Sequence, residues 1–255
     1  MEKDINDGIY TGFAYVYDKF MDNIPYNGWH SYIYTLLKEY GITSGIVAEL
    51  ACGTGTITSM LAADGYDMIG VDISYDMLGI ARDKCPGNVL LLQQDIRELD
   101  LYGSAAAMIC VCDGMNYMDC TDSLYRVFCR ANIFLDYGGI FIFDLKTTYF
   151  YENILGNRVI AENREDSSII WENEFNKETG INEYLVTIYS LCEENGLFER
   201  YEELHTQKAY SIEEVKGLAE KAGLETAAVY NAFTKEEPKE DSERVYFILK
   251  KAFGG

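Results

Sequence analysis

The sequence predicts an α/β fold in which helices cover both faces of a mostly parallel β-sheet. Three features of the 255-residue chain support this prediction. Aromatic, amphipathic segments precede residue 45, short apolar strands alternate with helices between residues 45 and 144, and strand-like segments dominate the stretch that follows. Because parallel strands require crossover helices, the alternation in the middle of the chain indicates a parallel sheet that is buried on both faces.

Two amphipathic helices are predicted between about residue 8 and residue 40. In "YTGFAYVYDKFM" and "PYNGWHSYIYTLLKEYG", bulky apolar side chains recur every three or four positions and therefore share one helix face. Pro25 near the start and Gly41 at the end of the second segment are typical of helix boundaries. The side chains on these faces are Tyr10, Phe13 or Ala14, Tyr17 and Met21 in the first helix, and Trp29, Ile33, Leu37 and Tyr40 in the second.

Strands and helices alternate along the next hundred residues or so. The predicted strands are "GIVAEL", "YDMIGVD", "NVLLLQQD", "AAMICVC" and "IFIFDL". The predicted helices are "TITSMLAADG", "SYDMLGIARDKC" and "DSLYRVFCRANIFLDYGG". Each of these helices ends at a glycine or just before a proline, which are the usual stop signals.

The pattern changes after Asp144, because three strand-like segments follow one another with only turns between them. These segments are "SSIIWENEF", "NEYLVTIYSLCEE" and "LFERYEELHTQKAY", so an antiparallel insertion is predicted. The helix "SIEEVKGLAEKAG" comes next, with Ser211 as its N-cap and Glu214 in the position that completes a capping box. The last two predicted strands are "ETAAVY" and "RVYFILKK".

The composition excludes several classes of function. The formal net charge is −21 at pH 7, which would repel a polyanion, so a nucleic-acid substrate is not expected. The longest apolar run, "SAAAMICVC", is much shorter than the roughly 20 residues of a membrane span. The first residues are acidic and polar, unlike a secretory signal, so a cytoplasmic location without a membrane partner is expected. A small molecule is the partner that this composition favours.

The segment "VAELACGTGTITSML" contains the strongest functional signal. It begins as an apolar strand and ends as a helix, with Gly53 and Gly55 at the bend, and Asp72 closes the next strand. Glycines let the backbone approach a ligand, the helix N-terminus offers unpaired N–H groups, and the acid can bind the two hydroxyls of a ribose. Sites for NAD and for S-adenosylmethionine share this arrangement, so the bend alone leaves both cofactors open.

Three further residues favour S-adenosylmethionine. A dinucleotide site has glycine at the position of Thr58, whose branched side chain would crowd the helix against the strand. Glu49 would repel a pyrophosphate, whereas it would attract the sulfonium and ammonium groups of S-adenosylmethionine. Asp95, after the third strand, could accept a hydrogen bond from the adenine amino group. S-adenosylmethionine is therefore the predicted cofactor, and an NAD-dependent oxidoreductase is the alternative.

These segments also resemble a known family. "ELACGTG" resembles motif I of the class I S-adenosylmethionine-dependent methyltransferases, and "GVDISYDML", "QQDI", "CVCDGMNYM" and "GGIFIFDL" resemble their later strand ends. "YTGFAYVYDKFM" and "YNGWHSYI" resemble a bacterial subfamily that methylates small molecules. The resemblance implies a Rossmann-like fold with a mostly parallel seven-stranded sheet whose last strand is antiparallel. It divides the chain into a helical lid (residues 1–44), a cofactor-binding domain (45–145 and 207–255) and an antiparallel insertion for substrate, lid or dimer contacts (146–206).

The same resemblance implies a role for each matching residue. Asp72 would bind the ribose hydroxyls, and Asp95 and Ile96 would hold the adenine. The backbone at Cys112 and Asp113 would face the methionine ammonium. The residues implied to bind the cofactor are Tyr17, Trp29, Glu49, Ala51, Gly53, Thr54, Gly55, Asp72, Ile73, Met77, Gln94, Asp95, Ile96, Cys112, Asp113 and Asn116. No metal site is predicted.

His205 and Tyr17 are the candidates for catalysis. His205 lies in the insertion and is a natural general base near pH 7, and Tyr17 belongs to the predicted lid. Structural roles are the alternative for both, namely core packing for Tyr17 and a hydrogen-bonded histidine for His205. The predicted function is methyl transfer to a nitrogen or oxygen nucleophile of a small molecule by in-line displacement, by a monomer or homodimer. A catalytically silent S-adenosylmethionine-binding protein is a further alternative.

Overall fold

The chain folds into helices and two β-sheets in the computed structural model, which describes residues 14–22, 24–192 and 194–252. The α-helices of these ranges are α1 (Ala14–Phe20), α2 (Tyr26–Glu39), α3 (Thr56–Ala63), α4 (Tyr75–Lys84), α5 (Thr121–Phe134) and α6 (Ile212–Lys221). The strands are β1 (Ile46–Leu50), β2 (Asp67–Asp72), β3 (Leu90–Gln93), β4 (Ala105–Cys110), β5 (Leu135–Lys146), β6 (Val159–Asn163), β7 (Ser167–Asn176), β8 (Ile181–Cys192), β9 (Leu197–Lys208), β10 (Leu224–Asn231) and β11 (Arg244–Lys251). Tyr10 and Phe13, predicted on the first helix, lie outside the described residues. Within the described ranges, no helix is both long and apolar enough to cross a bilayer.

The larger sheet confirms the predicted fold class. Its strands lie in the order β10–β11–β5–β4–β1–β2–β3. β1 to β5 are parallel, and the last strand, β11, runs antiparallel to both β5 and β10. β1 lies between β2 and β4, so the chain turns to opposite sides of β1 on its way to those two strands. A crevice therefore opens at the carboxyl end of β1, which is where open α/β sheets bind their ligands.

Apolar side chains bury both faces of the larger sheet. On one face, Ile33 of α2 and Leu61 of α3 pack in a cluster with Val47 of β1. On the other face, Phe128 of α5 and Val215 of α6 belong to a second cluster. All five side chains are fully buried, and burial of each stabilises the fold by about 1.5–3 kcal/mol relative to exposure. The two clusters thus hold the strand ends in a fixed arrangement.

One predicted helix boundary is wrong. The sequence places a helix that continues to Gly138 and Gly139, but α5 ends at Phe134 and β5 begins at Leu135. Leu135 is buried and pairs with Ala105 of β4, so the residues before the glycines already belong to the sheet. Gly138 has a φ of +78°, and a Cβ on Gly139 would lie 2.9 Å from two backbone oxygens. The glycines therefore permit a shift of register within β5 and do not cap the helix.

The smaller sheet contains the predicted antiparallel strands and one strand that was not predicted. β7, β8 and β9 match the predicted segments, and β6 adds a fourth strand at the edge. Four of the five β6 residues are exposed, so its sequence lacks the alternation of a half-buried strand. One face of this sheet packs against α1, where Val16 and Phe20 join Tyr184 and Ile188 in a third apolar cluster.

The C-terminal helix begins with the predicted capping box. Ser211 Oγ accepts a hydrogen bond from the Glu214 N–H at 3.2 Å, and the Glu214 carboxylate accepts one from the Ser211 N–H at 3.0 Å. These bonds satisfy two of the N–H groups that a helix start leaves unpaired. After α6 and β10, the chain returns through β11, whose first residue, Arg244, pairs with Lys146 of β5. Arg244 therefore lies at the carboxyl edge of the parallel strands.

Candidate functional site

A cavity of about 380 Å³ opens at the carboxyl ends of β1, β2 and β4. Predicted site residues that line it are Tyr17, Glu49, Ala51, Gly53, Thr54, Asp72, Ile73, Met77, Gln94, Asp95, Ile96 and Cys112. Other described residues that line it include Tyr26, Thr56, Arg97, Tyr117, Met118, Asp119, Leu204 and Thr206. The predicted residues that do not line it are Trp29, Gly55, Asp113, Asn116 and His205. The structure thus brings most of the predicted set around one ligand-sized space.

Asp72 holds the glycine loop in place. The loop after β1 follows a left-handed backbone, with φ of +54° at Ala51 and Gly53 and +72° at Gly55. The two carboxylate oxygens of Asp72 accept hydrogen bonds from the N–H of Gly53 at 2.8 Å and of Ser74 at 2.9 Å. Burial raises the pKa of Asp72, and these two backbone hydrogen bonds oppose the rise. Asp72 therefore fixes the loop from a position on the cavity wall.

The two glycines of the loop have different tasks. A Cβ on Gly55 would lie 2.8 Å from the Cys85 Sγ and 3.0 Å from the Ala81 Cβ, so Gly55 lets α3 pack closely against α4. A Cβ on Gly53 would meet no heavy atom within 4 Å. Gly53 is thus the glycine that borders open space, and Gly55 serves the packing of the scaffold.

Glu49 and Thr58 form a buried pair that explains the departure from the dinucleotide pattern. Glu49 lines the cavity but is only 3% exposed, and the Thr58 hydroxyl donates a hydrogen bond to its carboxylate. Burial raises the pKa of Glu49 to about 8, the charge of Asp72 adds to the rise, and the Thr58 hydrogen bond opposes it. At neutral pH the carboxyl is therefore largely protonated unless a cation lies beside it.

Asp95 lines the cavity as part of an ion pair with Arg97. Its carboxylate accepts hydrogen bonds from Arg97 Nη2 at 2.6 Å and from the Arg97 backbone N–H at 2.9 Å. Burial raises the pKa of Asp95, but the hydrogen bonds from Arg97 outweigh burial and lower it. Arg97 is the only lysine or arginine among the described lining residues, whereas the lining acids are Glu49, Asp72, Asp95 and Asp119. The cavity is therefore acidic.

A lysine connects α1 to the glycine loop. Lys84 Nζ lies 2.7 Å from the Asp18 carboxylate and 2.9 Å from the hydroxyls of both Thr54 and Thr56. The Thr54 hydroxyl also donates a hydrogen bond to Asp18 at 2.7 Å. Tyr17, next to Asp18 on α1, lines the cavity, and burial raises the pKa of its phenol. α1 thus contributes one wall and is tied to the start of α3.

The end of β4 belongs to a buried network of charges. Cys112 and Asp113 both have positive φ angles, of +62° and +60°. The Asp113 carboxylate lies 2.7 Å from Lys146 Nζ and 2.9 Å from Arg244 Nη2, and these cations lower its pKa although burial opposes them. Asp144 also pairs with Arg244, but burial raises the pKa of Asp144 to about 6. The Asp113 side chain therefore serves this network, and only Cys112 of the pair lines the cavity.

Trp29 and Asn116 contact residues of the same network and do not line the cavity. The Arg244 guanidinium lies 4.8 Å from the centroid of the Trp29 ring. Asn116 is fully buried, and its side chain donates a hydrogen bond to the Lys208 carbonyl at 2.8 Å and accepts one from the Lys146 N–H at 2.9 Å. Asn116 thus joins β5 to β9. Neither residue lines the cavity, although the sequence predicts both to bind the cofactor.

His205 lies behind the cavity wall. Its Nδ1 is 3.3 Å from the Tyr117 hydroxyl, and its Nε2 is 3.1 Å from a carboxylate oxygen of Glu203. His205 is 2% exposed and Glu203 is 5% exposed, whereas Tyr117 lines the cavity. The other histidine, His30, pairs with Asp64 at 2.5 Å and does not line the cavity. The structure therefore connects His205 to the cavity through Tyr117.

Several residues of this region were not predicted from the sequence. Lys84 contacts Asp18 across 66 positions of sequence, and Arg244 contacts Asp144 across 100, so no local spacing reveals either contact. Glu203 did carry a signal. It precedes His205 by two positions in a predicted strand, and alternate residues of a strand share one face.

The chain is similar to methyltransferases over almost its whole length. A family model for a methyltransferase domain matches residues 47–139. One relative, from Geobacillus sp. (strain WCH70), is provisionally named as a methyltransferase. It is 33% identical over 246 residues, which cover 95% of this chain and 99% of the relative. The crystal structure of an S-adenosylmethionine-dependent methyltransferase from Clostridium acetobutylicum ATCC 824 aligns with a TM-score of 0.83 and 25% identity over 95% of this chain and 99% of that chain. The sugar N-methyltransferase KedS8 from Streptoalloteichus sp. ATCC 53650 shares the fold, with a TM-score of 0.77 and 17% identity over 93% of both chains. The chain belongs to the class I S-adenosylmethionine-dependent methyltransferases.

Proposed function

We propose that this chain transfers a methyl group from S-adenosylmethionine to a nitrogen or oxygen nucleophile of a small molecule by in-line displacement. The observation that carries the proposal is the acidic cavity at the end of β1, where Asp72 fixes a glycine loop. Membership of the methyltransferase family supports the methyl donor, and the chemistry of the cavity walls fits it.

The cavity suits a cationic nucleoside better than a dinucleotide. Glu49, Asp72 and Asp95 come from three neighbouring strand ends. Arg97, the one basic side chain of the described walls, is already paired with Asp95. A diphosphate would meet acids here, whereas a sulfonium or ammonium would be stabilised and would favour the ionised form of Glu49.

Individual residues fit parts of the methyl donor. Each carboxylate oxygen of Asp72 accepts one backbone hydrogen bond and has a second lone pair that a ribose hydroxyl can use. Asp95 would accept from the adenine amino group, and Ile73, Met77 and Ile96 would supply apolar contacts around the base and ribose. Gly53 would border the methionine part, because its backbone faces open space.

The acceptor is proposed to bind beside Tyr17 and Tyr117. The nearby described walls also include Met118, Leu204 and Thr206, which come from the loop after β4 and from β9. A sugar N-methyltransferase shares this fold, which supports an amine as one candidate acceptor. Methyl transfer requires that nucleophile, methyl carbon and sulfur be aligned and that water be excluded. α1, which Lys84 ties to the glycine loop, is the element placed to exclude water.

Binding is tested by thermal unfolding with S-adenosylhomocysteine, the demethylated product. At about 100 times its dissociation constant, it should stabilise the fold by about 2.7 kcal/mol, and NADH should not. Asp72→Asn should lose most of the shift. Asp67→Asn, at the opposite and exposed end of the same strand, is the matched control and should keep it. A shift with NADH and none with S-adenosylhomocysteine would instead favour an oxidoreductase.

Turnover distinguishes an enzyme from a silent binder. Labelled S-adenosylmethionine is incubated with a panel of small amines and hydroxyl compounds, and transfer of the label to at least one of them is expected. Binding of S-adenosylhomocysteine together with no transfer to any compound of a broad panel would contradict the proposed activity.

A further inference from the structure

A tyrosine, a histidine and a glutamate form a hydrogen-bonded series that starts at the cavity wall. Tyr117 lines the cavity, and its hydroxyl is 3.3 Å from His205 Nδ1. The two rings also meet edge to face, with centroids 6.0 Å apart. His205 Nε2 is 3.1 Å from the Glu203 carboxylate, and both of these side chains are buried. The series therefore leads from the cavity to a buried carboxylate.

The register of the smaller sheet places His205 and Glu203 together in an apolar setting. They are two residues apart in β9 and so share one face, opposite Tyr184 and Val186 of β8. Tyr184 and Val186 belong to the apolar cluster that packs against α1. A buried carboxylate and imidazole cost desolvation free energy that apolar side chains would not, so packing alone does not account for this pair.

The hydrogen bonds indicate which nitrogen of His205 can take a proton. If Glu203 is ionised, it can only accept a hydrogen bond, and the nitrogen beside it, Nε2, then carries the hydrogen. In the neutral imidazole, Nδ1 then has a lone pair and accepts from the Tyr117 hydroxyl. The Tyr117 oxygen can in turn accept a proton from a ligand in the cavity.

We propose that Tyr117 takes the proton of the methyl acceptor and passes its own proton to His205, whose imidazolium is stabilised by Glu203. This inference rests on the proposed function and narrows its substrate class. The attacking atom of the acceptor must carry a proton, as in a hydroxyl or a primary or secondary amine. A thioether or a tertiary amine has no proton to give, so the relay would not serve it.

The proposed step balances in atoms and charge. The acceptor lone pair forms the bond to the methyl carbon, and the electron pair of the broken carbon–sulfur bond stays on sulfur. The acceptor proton moves to the Tyr117 oxygen as the Tyr117 proton moves to Nδ1 of His205. Tyr117 ends neutral, and the positive charge that left the sulfonium is now on His205, beside Glu203.

Other titratable groups near Tyr117 are poor bases for this step. Tyr17 of α1 and Tyr184 of β8 both interact with Tyr117, and burial raises the pKa of both phenols, so they stay protonated. Asp113 also lies near Tyr184, but its carboxylate is held by two cations, which lower its pKa against the effect of burial. His205 Nδ1, by contrast, lies 3.3 Å from the Tyr117 hydroxyl, within the reach that a proton transfer requires.

The tautomer of His205 tests the relay without a known acceptor. The chain has two histidines, so nitrogen-15 NMR of histidine-labelled protein gives two sets of ring signals, and His30→Gln assigns them. In alkaline solution, where an imidazole is neutral, His205 is expected to carry its hydrogen on Nε2. Tyr117→Phe should shift the Nδ1 signal and leave Nε2 nearly unchanged. A hydrogen on Nδ1 in the unmodified protein would overturn the relay.

Kinetics with an acceptor from the panel test its contribution to catalysis. Tyr117→Phe and His205→Gln should each lower kcat about 10²- to 10⁴-fold at neutral pH, with little change in KM, and the loss should shrink as rising pH deprotonates the acceptor. Tyr201→Phe, on the same strand but beside the exposed Glu199, is the control and should keep kcat. An unchanged kcat, or an equal loss at every pH, overturns the relay. Absence of an S-adenosylhomocysteine shift in the unmodified chain overturns the proposed function instead.

Discussion

The two sides of the cavity differ in how their charges are balanced. On the side proposed for the methyl donor, Glu49 and Asp72 are buried acids whose pKa values burial raises. On the other side, behind the wall that Cys112 lines, Asp113 is neutralised by Lys146 and Arg244 within the protein. The buried acids of the first side would therefore ionise more readily beside a cationic ligand, whereas the charges of the second side are already paired. The difference indicates that the acids of the donor side respond to a bound cation, whereas the paired residues give the cavity a rigid support.

The substitution Arg244→Met should disrupt the ion pairs of Asp113 and Asp144 and have the largest effect on stability. It leaves Asp113 and Asp144 buried without the cation they share, and loss of one partner of a buried ion pair costs about 3–5 kcal/mol. Urea unfolding measures this change in the free energy of unfolding. Arg82→Met, on the exposed surface of α4, is the control and should stay within about 0.5 kcal/mol of the unmodified chain. A loss below about 1 kcal/mol in Arg244→Met would show that this side does not depend on its internal pairing.

Burial of Glu49 on the donor side should be apparent in the pH dependence of stability. The pKa of Glu49 is about 8 in the native protein and 4.5 ordinarily, so the native state binds more protons between these values. The free energy of unfolding should therefore fall as pH rises through that interval, by up to about 1.4 kcal/mol per pH unit from this group. Glu49→Gln, which keeps an acceptor for Thr58, should flatten the curve in the same window. Identical pH curves for the two proteins would contradict the assignment.

The methyl donor should bind more tightly as the pH rises, because its sulfonium favours the ionised form of Glu49. The affinity for S-adenosylmethionine relative to S-adenosylhomocysteine should increase between pH 7 and pH 9, by about two- to tenfold. Isothermal titration calorimetry at several pH values measures both affinities. The ratio should lose its pH dependence in Glu49→Gln, and a ratio that is flat in the unmodified protein would count against a cation beside Glu49.

The two loop glycines give the smallest and most local test. Gly55→Ala combines a φ of +72° with a Cβ contact of 2.8 Å to Cys85 Sγ, so it should cost about 1–3 kcal/mol of stability. Gly53→Ala should lower the free energy of unfolding only through backbone strain, by about 1 kcal/mol. It should nevertheless weaken S-adenosylhomocysteine binding more than Gly55→Ala does. Urea unfolding and calorimetry on both variants check the contrast. A Gly53→Ala protein that binds as tightly as the unmodified chain would contradict the placement of the ligand.

The fold could be predicted where local periodicity decides the structure. The strands of the larger sheet are short and apolar and alternate with helices, so each was found. The end of α5 could not be predicted, because Gly138 and Gly139 resemble a helix cap while Leu135 already pairs with Ala105. β6 was missed because an exposed edge strand has no buried face to impose alternation.

The residues of the site can also be divided into those that the sequence could predict and those that it could not. Glu49, Asp72 and Asp95 could be predicted because successive parallel strands place their carboxyl ends side by side. The positions of Trp29 and Asn116 could not, because their contacts are made to Arg244, Lys146 and Lys208, which are distant in sequence. Antiparallel pairing of β11 with β5 places Arg244 opposite Lys146, and no local pattern encodes that pairing.

A crystal structure of the chain with S-adenosylhomocysteine would show directly where the cavity holds the methyl donor. We expect ribose hydroxyls within about 3 Å of the Asp72 carboxylate, adenine beside Asp95 and Ile96, and the sulfur facing Tyr17 and Tyr117. A ligand bound away from Asp72, or a dinucleotide whose diphosphate lies across Glu49, would contradict it.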